Sequence, residues 1–75
     1  FNPITNIQYE VANDINMQLS IYDMRGRLVE ILHKGYIDAG SYDIVWNAQN
    51  ISSGIYFLRM VTPELTLSQK MVLIK

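Results

Sequence analysis

The side chains able to do chemistry are few and scattered. His33 is the only histidine and stands beside Lys34 in an otherwise apolar run. A lone imidazole makes a weak metal ligand or acid–base group, so a structural or surface role is the simpler reading. Among the four Asp and three Glu residues, Asp14, Asp23 and Asp38 fall where turns are expected, and short acidic side chains build turns by bonding their own backbone. Hydrolysis of a glycoside needs two carboxylates held about 5–10 Å apart across a cleft, and a domain this small has little room for one. No D-x-D-x-D spacing suggests a calcium loop, and Gly26 is not part of a G-x-x-x-x-G-K phosphate cradle. The absence of cysteine excludes disulfides and thiolate metal sites. Asn50-Ile51-Ser52 matches the N-glycosylation pattern, which matters only if the chain is secreted from a cell that glycosylates. Met17, Met60 and Met71 occupy strand positions where filling a core is the simpler role than forming a binding surface. The sequence thus offers no catalytic residues, no cofactor-binding residues and no metal ligands, and the chain is expected not to be an enzyme.

Bulk properties narrow the partners. A chain of 75 residues is one small domain, burying roughly 60–65% of the surface its unfolded form exposes. With 49% hydrophobic and 17% charged residues it belongs with folded domains and not with disordered ones. The net charge of −1 comes from six basic and seven acidic residues spread along the chain, leaving no basic stripe for nucleic acid and no cluster for an anionic membrane. No small-molecule substrate is suggested. No apolar run approaches the roughly 20 residues of a membrane span, and no signal peptide is present. The chain opens Phe1-Asn2-Pro3 with no initiator methionine, so residues 1–75 are expected to be a piece of a longer protein, with room for an export signal upstream.

The elements that must position these residues are strands. Ten Ile, five Val, three Thr and eight aromatics suit a pleated, half-buried surface, and alternation recurs where a helical period does not. The first strand is predicted over Thr5 to Val11, with Ile7, Tyr9 and Val11 on one face, and it should be an edge. After the turn cluster Ala12-Asn13-Asp14, Ile15 to Asp23 alternates with Ile15, Met17, Leu19 and Ile21 inward and Asn16, Gln18 and Ser20 outward. Asp23-Met24-Arg25-Gly26 reads as a type I turn into a third strand, Arg27–Lys34, which Gly35 should end. Tyr36 to Gly40 should cross to a second sheet, where Tyr42, Ile44 and Trp46 point inward. The loop from Asn47 to Gly54 leads to a closing hairpin, Ile55–Thr62 and Thr66–Ile74, joined through Pro63-Glu64 because proline cannot donate within a ladder. Short strands at 8–12-residue spacing predict an all-β, antiparallel sandwich of six to seven strands with no disulfide, and Trp46 should sit centrally with a partner for its indole N–H.

Five pieces of this pattern together resemble one family. They are Asn2-Pro3 before a hydrophobic strand; Ile21-Tyr22-Asp23-Met24-Arg25-Gly26-Arg27-Leu28-Val29; Gly40-x-Tyr42 leading to Trp46; Ser53-Gly54-Ile55-Tyr56-Phe57-Leu58-Arg59; and Lys70-Met71-Val72-Leu73-Ile74-Lys75 at the end. In this order they resemble the type A C-terminal sorting domain of type IX secretion cargo, common in Bacteroidetes. The resemblance spans essentially the whole chain and places the family's motif positions on Asp23, Gly26, Arg27, Gly54 and Tyr56. It departs in the short stretch Asn47 to Ser53, where many members have a longer Gly-rich loop, and at Thr62-Pro63-Glu64, where a Gly-containing hairpin is more usual.

The resemblance implies an immunoglobulin-like sandwich that directs a large cargo through the periplasm and an outer-membrane translocon to the cell surface or the medium. It implies as partners the type IX translocon, a sortase-like surface protease and the preceding cargo domain. Within the last strand, Met71 and Leu73 are expected to face the core, leaving Lys70, Val72, Ile74 and Lys75 for recognition by the secretion machinery. An apolar closing edge of this kind can also pair with its own copy. The competing expectation is an immunoglobulin-like accessory or spacer module of a multidomain surface enzyme.

Overall fold

Six antiparallel strands and no helix make up residues 3–74, the part of the chain that the computed structural model describes. They are β1 (Ile4–Val11), β2 (Ile15–Asp23), β3 (Leu28–Ile37), β4 (Gly40–Asn47), β5 (Gly54–Val61) and β6 (Thr66–Leu73). β1 and β4 form a two-stranded sheet, and the other four form a second sheet in the order β3-β2-β5-β6. Period-two burial along β1 and β2 makes one face of each sheet apolar, and the sandwich is how both faces leave water together. The predicted all-β, immunoglobulin-like sandwich is what forms, with six strands.

The interior is one continuous layer built from two groups. Ile7, Ile21, Trp46, Ala48, Tyr56 and Leu73 pack at one end, and Val11, Met17, Leu19 and Ile37 at the other. Trp46 is 1% exposed and meets Tyr56 edge-to-face with ring centroids 6.1 Å apart. Its indole Nε1–H donates to Glu30 Oε1 at 3.3 Å, so the partner its burial requires comes from β3.

β3 corrects the expectation of a strand over Arg27–Lys34 ended by Gly35. The strand runs on through Gly35, which takes φ +122° opposite Met17, and ends at Ile37, itself buried. Its confusing apolar run has a register cause. Leu32 is skipped between the pairs Leu19↔His33 and Ser20↔Ile31, and Val29 between Ile21↔Glu30 and Tyr22↔Leu28. Each skipped residue is a β-bulge that breaks the alternation. Leu32 and Val29 therefore pack against the core while Leu28 and Ile31 stay exposed.

Ser20 faces outward as expected and is nevertheless buried, because it sits mid-strand in an interior strand with Ile31 and Arg59 on either side in the same row. Its hydroxyl accepts a hydrogen bond from Gln18 Nε2 at 2.9 Å. Asp14 stands in a turn as expected but does not bond its own backbone there: its Oδ1 accepts the Ala39 N–H at 2.8 Å, tying the two connections that pass between the sheets. His33 is half-buried with Nε2 3.3 Å from the Gly35 carbonyl, a structural setting.

Candidate recognition surface

The Asp23-x-x-Gly26-Arg27 motif is a self-contained turn. Asp23 Oδ1 accepts the N–H groups of Arg25 and Arg27, both at 2.9 Å, and Oδ2 accepts Arg27 Nε–H at 2.9 Å. The Gly26 N–H closes the turn on the Asp23 carbonyl at 3.0 Å, with Gly26 at φ +83°, a conformation that costs any other residue about 1–2 kcal/mol. The Arg27 backbone bond, with the other N–H donors and the guanidinium, holds the Asp23 carboxyl below its usual range. A carboxyl with a lowered folded-state pKa contributes stability at neutral pH that is lost as pH falls through that folded value. We expect Asp23→Asn to flatten the acid limb of a thermal midpoint-versus-pH curve below about pH 4, a difference that shrinks with salt because the site is exposed.

Gly-x-Tyr occurs twice, and both copies are corners of one design. The Tyr42 hydroxyl donates to the Asp38 carbonyl and the Tyr56 hydroxyl to the Ser52 carbonyl, each at 2.6 Å and each four residues back. Such a bond pins the entry of a strand to the loop before it, as the tyrosine corner of other sandwiches does. Tyr56→Phe should lose one buried hydrogen bond, about 0.5–1.5 kcal/mol. A midpoint fall of about 4–8 °C per kcal/mol, read by circular dichroism, checks it.

These motif positions gather at one end of the larger sheet. Asp23, Tyr56 and Met71 form one cross-strand row, and Gly54 pairs with Leu73 beside it. Their side chains are consumed by the fold. Lys70 and Val72, by contrast, point away from the core on β6, with Ile74 exposed just past its end; Leu73 is buried and Met71 half-buried between them. Lys75 lies outside the described residues.

What the sequence did not announce is the company β6 keeps. Register sets Leu28, Tyr22, Phe57 and Lys70 in one row across the outer face, and Ile55 beside Val72 in the next. Leu28, Val72 and Ile74 are 51%, 42% and 65% exposed, which makes an apolar patch that the domain itself leaves uncovered. The Arg59 guanidinium lies 5.8 Å from the Tyr22 ring centroid and, with Lys70, gives the patch a basic side. The signal was available: β5 carries Ile55 and Phe57 at outward positions where a one-sided strand would carry polar groups.

Among the described residues no group of His, Asp and Glu is placed to hold a metal ion. The surface can present shape, apolar area and two cations, which is a means of binding protein.

Residues 1–75 match the sequence model of a family described as a secretion system C-terminal sorting domain. The chain belongs to that family. A comparison with curated proteins gave no match, and neither did one with solved structures. Sorting domains of this family are non-catalytic signals that take cargo proteins out by type IX secretion, so the cargo is secreted or attached to the cell surface. The sorting domain must therefore meet the secretion machinery, and the Asp23-x-x-Gly26-Arg27 turn and the two Gly-x-Tyr corners serve to build the sandwich that carries the signal.

Proposed function

We propose that the secretion machinery reads the outward side of β6 and its C-terminal continuation, through Lys70, Val72, Ile74 and Lys75, on a domain that closes a longer, separately folded cargo. The observation that carries this reading is the uncovered apolar patch around Val72 and Ile74, bordered by Ile55 and Phe57. A spacer needs no such surface, and leaving it open favours aggregation unless something binds it. The partners in this reading are the outer-membrane translocon, which engages the patch, and a sortase-like surface protease, which acts upstream of Phe1 once the cargo has crossed. The motif positions Asp23, Gly26, Arg27, Gly54 and Tyr56 act through folding and touch neither.

The test is sufficiency. Residues 1–75 fused behind a periplasmic reporter, in a bacterium with type IX secretion, should carry the reporter to the surface or medium. A reporter that stays in the periplasm with the domain folded would favour the accessory-module reading, in which the sandwich only packs beside an enzyme.

A further inference from the structure

The two sheets do not match in width. Neighbouring strands lie about 4.8 Å apart, so the two strands β1 and β4 can cover only part of the inner face of four. The uncovered part is the β6 side. There residues of β1 and β6 border the same seam, Tyr9 and Leu67 lining one part of it and Ile7 and Met71 the next. Two adjoining openings of about 320 and 390 Å³ lie along it. Leu58, Met60 and Met71 form the half-buried floor, and Leu67 is 57% exposed at the lip.

The chemistry of the walls identifies what fits. Thr5, Asn6, Gln8, Ser68 and Gln69 line the sides, and no Asp, Glu, Lys or Arg enters either opening. β1 pairs only with β4, so along its other edge the alternate N–H and C=O groups of eight residues face the seam. An apolar floor beneath an unsatisfied, uncharged strand edge is complementary to an extended backbone with apolar side chains at every second position.

We propose that this seam takes a single extended, uncharged strand of a partner protein, which becomes the third strand of the smaller sheet. The free edge of β6 in a second copy is the competing occupant, and dependence on the concentration of the chain alone separates the two. Pro3, which leads into β1, is held on the β4 side, its carbonyl accepting the Ala48 N–H at 2.6 Å. Val72 borders both the seam and the outward patch, whereas Leu67 belongs to the seam alone and Ile74 to the patch alone, so variants at those two positions let either reading fail without the other.

The test is titration of the isotope-labelled chain with an acetylated, amidated eight-residue peptide alternating serine and valine. Amide shifts and slowed hydrogen exchange are expected along residues 4–11 and 66–69. Leu67→Asp, at an exposed lip position, should weaken binding at least tenfold with the circular dichroism spectrum unchanged, and a peptide with glutamate in place of valine should not bind. Three results would overturn the proposal: no shifts at millimolar peptide, shifts confined to the outer face, or the same shifts produced by raising the concentration of the chain alone. Shifts as expected beside an export defect confined to Val72 and Ile74 variants would leave both surfaces standing.

Discussion

With Val72 and Ile74 both changed to lysine, the sorting domain keeps its thermal midpoint and its cargo stays in the periplasm. Both side chains are largely in water already, at 42% and 65% exposure. Exposed substitutions of this kind usually move stability by about 0.5 kcal/mol or less. Docking is another matter. A partner that covers Ile55, Phe57 and Val72 would have to bury two new ammonium groups without a counter-charge, and every 1.4 kcal/mol lost is tenfold in affinity. We expect at least a tenfold fall in exported cargo, measured by fractionation and immunoblotting, with the domain's melting curve unchanged. Normal export would sink the assignment of this surface, and loss of folding would place the two residues in the core. Leu73→Ala is the necessary contrast. Leu73 is 1% exposed, and its truncation should cost about 2–5 kcal/mol and stop export by unfolding the signal. Deleting Lys70 to Lys75 removes Leu73 with the rest, so failed export of that truncation would not separate recognition from folding.

Trp46→Ala removes a large share of the domain's stability. The side chain is buried between the sheets against Ile7, Ile21, Tyr56 and Leu73, and its N–H holds Glu30. Truncation of a buried Trp costs about 3–5 kcal/mol. A domain of this length has roughly 4–11 kcal/mol in total at about 0.05–0.15 kcal/mol per residue. No disulfide offsets the loss, since the chain has no cysteine. By calorimetry the midpoint should fall by at least about 12 °C, at about 4–8 °C per kcal/mol for a domain of this size. Trp46→Phe, which keeps a ring against Tyr56 but leaves Glu30 without its donor, should fall between the two. A shift under about 4 °C for the alanine variant would mean that the interior is held elsewhere.

How much of this was legible depended on whether a residue's role is local. The strands β1, β2 and β4 were readable because each has one face in water and one in the core, and that asymmetry is written as alternation. The turn at Asp23 was readable because its donors lie within four residues of its acceptor. β3 was not, because its bulges at Leu32 and Val29 are set by pairing with β2, and a bulge inverts the alternation on which such reading relies. Ser20 faces outward as its alternation indicates, and only the strands on either side of β2 decide that it is buried. The alternation of Met71 and Leu73 inward against Lys70 and Val72 outward was visible along β6. The patch that gives those positions meaning was not, because Leu28, Tyr22, Ile55 and Phe57 join it only through register across four strands.

The sequence by itself determined that the chain is an all-β sandwich, and its short motifs pointed to a family of non-catalytic sorting domains. Both are properties of composition, period and local turn chemistry. Tertiary structure alone decided which motif residues are spent on the fold. It gave Glu30 to Trp46 across 16 residues, and it left the outward side of β6 and the seam beside β1 open. Those are statements about which surfaces meet and which do not, and a surface exists only once distant strands have been brought side by side.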